Sequence, residues 1–306
     1  MPLSDYIKIE SAIPKKILAE WQPKSDKIYN QMLDFIRQSD FDATYDLIKQ
    51  LNLKSTIESQ RKSIEFSLKA AALYGAKNTS KLKSTLFNNK AINIKFQSFV
   101  DRFINTLSDN ASLRLQLAAN RMIANSEAIY NQTVQKEERF VEAFVSFDEA
   151  ADSMVKLVSS LHTSRMSTWG FTAEADALGM PEYKVTAVLD GRTSDFCRKV
   201  INGRVFDVSD AAGFVEQVLA ITDPNELKEV QAWPDQDPDS IKAYQEMSNE
   251  ELVALGLHIP PYHPFCRSMC VPVDKKPRPT VKPISEGLIA HIEAGIQNKQ
   301  LKDSLE

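Results

Sequence analysis

Between Pro23 and Glu174 the chain contains no proline, and apolar residues recur across that span at the three- and four-residue spacing of one buried helical face. Nothing there forces a break by ring clash, so residues 1–175 are expected to form an all-helical domain. Ser25 is placed to cap a helix carrying Ile28, Met32, Phe35 and Ile36. A second helix near 40–51 carries Phe41, Tyr45 and Ile48. A third starts near Ser55 and is expected to end at Gly75, where a residue without Cβ can take a left-handed turn. Phe96, Phe99, Val100, Phe103, Ile104 and Leu107 mark a fourth, expected to stop at the cap-forming run Ser108-Asp109-Asn110. The periodicity then continues through Leu161, with Val141, Phe144, Val145, Met154 and Val158 on its stripe. These stripes read as core or as surfaces for a partner. They hold no catalytic constellation.

Composition narrows the class of protein. Hydrophobic residues make up 43% and charged residues 25% of the 306 positions, a balance that suits a globular chain of about two domains. Only nine glycines are present, and no Gly-x-Gly-x-x-Gly or P-loop pattern occurs. The first residues lack the apolar stretch of a signal peptide, and no apolar run approaches the roughly 20 residues of a membrane span. A reducing cytoplasm is therefore the expected site of synthesis, and no membrane partner is expected. The net charge of −4 hides a gradient: between residues 51 and 100 nine cations face two anions, a local +7. Lys54, Arg61, Lys62, Lys69, Lys77, Lys81 and Lys83 are the candidate contacts to double-stranded DNA through phosphate neutralisation. The competing explanation is a solvated helical face packed on an acidic neighbour.

A change of character is expected around Trp169-Gly170-Phe171. After Gly179-Met180-Pro181, the alternation of Tyr183, Val185, Ala187 and Leu189 predicts a strand. Arg204 to Val208 predicts a second, after the turn signal Asn202-Gly203. Residues 209–256 insert helices, started by Ser209, by Asp223-Pro224-Asn225-Glu226, by Asp237-Pro238 and by the capping box Ser248-Asn249-Glu250-Glu251. Met269 to Val273 predicts a last strand. The fold class is therefore α+β: a helical N-terminal domain, a small α+β domain over 176–275, and over 276–306 a proline-rich spacer with a short amphipathic docking helix.

All three cysteines and one of the four histidines fall into two short clusters roughly 65 residues apart. Leu189-Asp190-Gly191-Arg192-Thr193-Ser194-Asp195-Phe196-Cys197 is the first. Ile259-Pro260-Pro261-Tyr262-His263-Pro264-Phe265-Cys266-Arg267-Ser268-Met269-Cys270 is the second. Cys197, His263, Cys266 and Cys270 have the chemistry of a structural Cys₃His zinc set. However, four extended steps of roughly 3.3 Å separate Cys266 from Cys270 by about 13 Å, so those two share a metal only if the chain turns between them. A Cys197–Cys266 disulfide and free buried thiols are the other options, and free thiols with no cofactor are the simplest. An enzyme would need Cys197 as nucleophile, His263 as base and Asp190 to orient it. Asp190 and Arg192 can form a charge pair or backbone hydrogen bonds. Arg165, Arg198 and Arg267 can bind phosphate, but their spacing singles none of them out.

The combination of a strand running into Asp-x-Arg-Thr, a following cysteine, a Gly-x-x-Phe turn and a later Pro-Pro-x-His-Pro-x-Cys-Arg resembles the Mu F-like phage head-morphogenesis family of minor capsid proteins. The matching residues are Asp190, Arg192, Thr193, Cys197, Gly203 and Phe206, then Pro260, Pro261, His263, Pro264, Cys266 and Arg267, within residues 181–275. Ser194 and Ser268 stand where the family often has further cysteines, and Cys270 falls two positions late. The resemblance implies a non-enzymatic virion protein at the capsid interior or portal vertex, made in the host cytoplasm. Its implied partners are the portal protein and the major capsid or scaffold proteins, and its implied role is head assembly and DNA packaging or ejection. Some members carry a toxin domain after the motif; only about 30 residues follow it here, too few for a separate catalytic unit.

Overall fold

The computed structural model describes residues 3–38, 40–79, 84, 86–130, 136–221 and 223–273. The predicted spacer and docking helix, Lys81, Lys83, and the side chains of Val141, Phe144 and Val145 lie outside the described residues and side chains. Among the described residues six α-helices come first: α1 (Leu3–Arg37), α2 (Phe41–Lys49), α3 (Lys54–Ser59), α4 (Arg61–Lys77), α5 (Lys90–Tyr130) and α6 (Lys136–Ala177). The expected mostly helical architecture followed by a small α+β part is present.

Several helix ends fall elsewhere than local signals suggest. α1 runs through Pro14 and Pro23 without stopping, and Ser25 is a buried mid-helix residue, not a cap. An interior proline costs roughly 3 kcal/mol. Burial of Tyr6, Ile13, Ile17, Trp21, Met32 and Ile36 along one side of α1 exceeds that, at about 2 kcal/mol for each large apolar side chain. α5 likewise passes through Ser108-Asp109-Asn110, because Leu107, Ala111, Leu115 and Ala119 continue its buried stripe. Asp40 does cap α2, accepting from the Ala43 amide.

Gly75 does not end a helix. It lies inside α4, and a Cβ built there would stand 1.7 Å from the Ser167 carbonyl oxygen of α6. Gly170 is its counterpart on α6, where a Cβ would stand 1.9 Å from the Ala72 carbonyl oxygen. The two helices therefore touch backbone to backbone. Trp169-Gly170-Phe171 is accordingly a buried stretch inside a helix and not a boundary, and α6 ends later, at Ala177, two residues before Gly179 with φ +64. Phe99 meets Trp169 edge-on at 5.4 Å, and Phe103 meets His162 at 4.9 Å, contacts that run α5 and α6 in opposite directions.

Three strands form one antiparallel sheet in the order β2-β1-β3: β1 (Glu182–Thr186), β2 (Val205–Asp207) and β3 (Met269–Pro272). Tyr183 pairs with Phe206 on one side and with Pro272 on the other. Tyr183, Val185 and Ala187 are buried as their alternation predicts, whereas Leu189 is exposed. Between β2 and β3 lie α7 (Val208–Ala220), α8 (Pro224–Val230), α9 (Pro238–Glu246) and α10 (Asn249–Ala254). Asp237 caps α9, and the Ser248–Glu251 capping box starts α10. Ser209 falls one residue inside α7, whose N-cap is Asp207. Buried apolar residues from α1 to β3 form one continuous core, and Phe171 meets Tyr183 across the end of α6.

His258 is buried at 1% exposure between Phe206 and Phe214. Burial pushes its pKa down to about 4, while the charge of Asp210 and the Asp210 backbone pull the other way. The folded state thus favours the neutral ring, and its stabilising contribution is complete above the unfolded value near 6.5. As pH falls from about 6.5 to 4, about 3 kcal/mol of stability is lost. Urea unfolding measured at pH 7 and pH 4.5 is expected to show this loss together with that of His162, whose pKa burial pushes down to about 3, and His258→Phe is expected to remove the His258 share alone.

Candidate functional site

The two clusters meet. β1 leads into a loop closed on itself around Asp190, and the chain then enters a wide, π-type helix over Phe196–Ile201. Asp190 accepts from the Arg192 amide at 2.9 Å, its own amide donates to Thr193 Oγ1 at 3.0 Å, and Thr193 Oγ1 donates to the Val188 carbonyl. The Asp190 carboxylate is therefore fixed before it meets any partner. Its partner is Arg267, in a two-pronged pair with both N–O distances 2.6 Å. Arg192, the neighbour in sequence, lies 4.0 Å away and is largely exposed. Arg267, followed by the Arg192 amide, holds Asp190 far below the usual carboxylate range.

From the other side comes Pro260-Pro261, with a cis peptide between the prolines. Its carbonyls are gripped by residues that sequence spacing did not single out. Thr168 of α6 donates to the Pro260 carbonyl at 3.1 Å, and Gln231 donates to that of Pro261 at 3.4 Å. Gln231 in turn accepts from the buried Arg165 through Nε and Nη2 at 3.1 and 3.0 Å. Phe265 then takes φ +58, a left-handed conformation rare for a bulky residue. This turn, closed by the Cys266 amide donating to the His263 carbonyl, sets Cys266 beside His263.

The sulfur of Cys197 stands 3.4 Å from His263 Nε2 and 3.9 Å from the sulfur of Cys266. Among the described residues these three form the one grouping able to hold a metal, with their donor atoms all within 4.8 Å of one another. Cys197 and Cys266 are buried and His263 is half-buried. His263 Nδ1 is 2.8 Å from the Pro264 carbonyl oxygen; a carbonyl only accepts, so Nδ1 carries the proton and Nε2 presents its lone pair to the sulfurs. The contact with Cys266, in which either thiol can donate, lowers the Cys197 pKa, with help from the Ser194 and Ser268 hydroxyls and against burial. Burial and that same contact raise Cys266.

Cys270 does not join them. The chain is extended from Met269, Cys270 pairs with Val185 in the sheet, and its buried thiol is driven up by desolvation. The four-ligand set is therefore corrected to three, for the distance reason given by its spacing. The enzyme triad is corrected too: Cys197 and His263 are within reach of each other, but Asp190 is committed to Arg267, and a backbone carbonyl orients His263. Gly203, at φ +88, makes the turn into β2, and Phe206 packs on Tyr183.

The cations proposed for DNA are unevenly disposed. Arg61 is engaged by Glu58 and Asp101, and Lys69 lies over the Phe87 ring at 4.7 Å. Lys54, Lys62 and Lys77 are exposed. The candidate phosphate binders are occupied by protein groups: Arg165 by Gln231, Arg198 by the Asp190 carbonyl and Arg267 by the Asp190 carboxylate. Among the described residues no helix is long and apolar enough to cross a membrane. Neither a scan against protein-family models nor searches of curated proteins and of solved structures find a match to this chain.

Proposed function

We propose that the protein is a non-enzymatic minor component of a phage head, working with the portal and the capsid or scaffold proteins during assembly and DNA packaging. One observation carries this reading. The residues of the two motif halves spend their chemistry on each other: Asp190 on Arg267, and Cys197 on His263 and Cys266. A sulfur on a residue with 2% exposure offers no approach for a substrate larger than a water molecule or a single ion, which favours a motif that closes a fold. The exposed Phe66 on α4, and Leu113 and Leu117 one turn apart on α5, give the helical part apolar surface to set against neighbours.

The 3.4 Å contact between Cys197 and His263 favours one second reading, a cysteine hydrolase. It would require the pocket to open, and Cys197 would then be alkylated rapidly in the native protein. The assembly reading is tested by co-expression with the portal and capsid genes of the same phage or prophage. The protein is expected to co-sediment with procapsids or portal rings at low copy number. Its complete absence from such particles would overturn the proposal.

A further inference from the structure

We propose that Cys197, His263 and Cys266 bind one zinc ion, with water as the fourth ligand. The site would tie the two distant loops together. This inference goes beyond an assembly role and does not depend on it.

The geometry carries the assignment. In a tetrahedral zinc site with Zn–S near 2.3 Å and Zn–N near 2.0–2.1 Å, two sulfurs lie about 3.8 Å apart and a sulfur and a nitrogen about 3.6 Å. The observed separations are 3.9 Å for Cys197 to Cys266 and 3.4 Å for Cys197 to His263 Nε2. The donors therefore already stand at the spacing of two edges of a ligand tetrahedron. The imidazole is prepared as metal-bound histidines usually are, with the distal N–H on a backbone carbonyl and the free lone pair turned inward. Two thiols and an imidazole select a borderline-soft ion and reject magnesium and calcium, which need oxygen ligands.

The supporting groups fix the ligands from both sides without the metal. The Cys197 amide donates to Ser194 Oγ at 3.3 Å, which sets the start of the helix that carries this ligand. Arg267, next to Cys266, is clamped to Asp190. Pro260 and Pro261, just before His263, are held by Thr168 and Gln231. On binding, Zn²⁺ displaces the thiol protons of Cys197 and Cys266 to solvent, and neither sulfur changes oxidation state. Among the described residues no fourth His, Cys, Asp or Glu donor joins the three, which leaves the fourth position to water, and of the three ligands only His263 is partly exposed. Cys270 takes no part.

The test uses the full chain, produced in zinc-supplemented medium and purified without chelator. Elemental analysis is expected to find about one zinc per chain. Chelator-stripped, reduced protein titrated with Co²⁺ is expected to show the strong visible bands of tetrahedral cobalt and a thiolate-to-cobalt charge-transfer band, saturating at one equivalent. Cys197→Ser, Cys266→Ser and His263→Gln are each expected to weaken metal binding at least about 100-fold, whereas Cys270→Ser leaves the spectrum unchanged. If a cysteine variant fails to fold, the wild-type cobalt spectrum decides alone. Less than half an equivalent of zinc, another metal in its place, an octahedral spectrum or a Cys197–Cys266 disulfide in fresh protein would each overturn the assignment. Loss of the cobalt bands in folded Cys270→Ser would overturn it as well. Particle incorporation is read separately, so the two proposals fail independently.

Discussion

Replacing Gly75 or Gly170 with alanine is expected to destabilise the protein by about 3 kcal/mol or more in each case. Intrinsic propensity alone predicts the opposite sign, since alanine exceeds glycine by about 1 kcal/mol inside a helix. The contact reverses that gain. Each new methyl would sit within 2 Å of a carbonyl oxygen of the facing helix, 1.7 Å at Gly75 and 1.9 Å at Gly170. A backbone oxygen cannot swing aside as a flexible side chain can, so α4 and α6 must separate. That separation opens the core around Ala71, Ala72, Trp169 and Phe171. Urea unfolding with an unchanged m-value and a lowered midpoint would report the effect. A stabilised Gly75→Ala variant would mean that the two helices are not in backbone contact.

The second large effect is expected at Arg204. Its guanidinium donates to the carbonyls of Val200, Tyr244, Gln245 and Met247 and to Asn249 Oδ1, at 2.7–3.4 Å. One side chain thus joins the end of the motif helix, the C-terminus of α9 and the start of α10. The carbonyls at the end of a helix have no intrahelical donors, and a cation placed there also meets the negative end of the helix dipole. Arg204→Met keeps the aliphatic stem and removes the donors. The expected cost is about 2–3 kcal/mol, the value of charge-assisted hydrogen bonds made by a half-exposed group. Amide exchange should rise first in α9 and α10. Arg204→Lys should restore only part of the loss, because one ammonium cannot span three segments. A change below about 0.5 kcal/mol would show that the insertion is held by apolar contacts such as Phe196 on Tyr244 and not by this arginine.

What could be read in the sequence was governed by range. Periodicity located the helices and strands because a buried face repeats locally. Asp237 and the Ser248 capping box could be located because a cap is a contact within four residues. Ser25, Gly75 and Ser108-Asp109-Asn110 misled for the converse reason. Each has a strong local preference, but packing across the bundle outweighed it. The meeting of the two thiol clusters was legible from their scarce residue types and the rigid prolines around His263. The exclusion of Cys270 followed from the length of an extended chain. The partner of Asp190 was not legible. Arg192 was the near choice, and Arg267, 77 positions away, is reached only once β1 and β3 pair. Thr168, Gln231 and Arg204 carry no signal of their own, since any polar residue at those positions would look the same until the helices are placed.

Cys197 and Cys266 face each other across the closed loops, while Cys270 lies within the sheet as part of β3. Mild diamide oxidation of chelator-treated native protein, followed by peptide mapping, tests this arrangement directly. A Cys197–Cys266 disulfide is expected, with Cys270 left as a thiol that alkylates only after unfolding. A Cys266–Cys270 bond, or a Cys197 that stays free under the same oxidation, would contradict it.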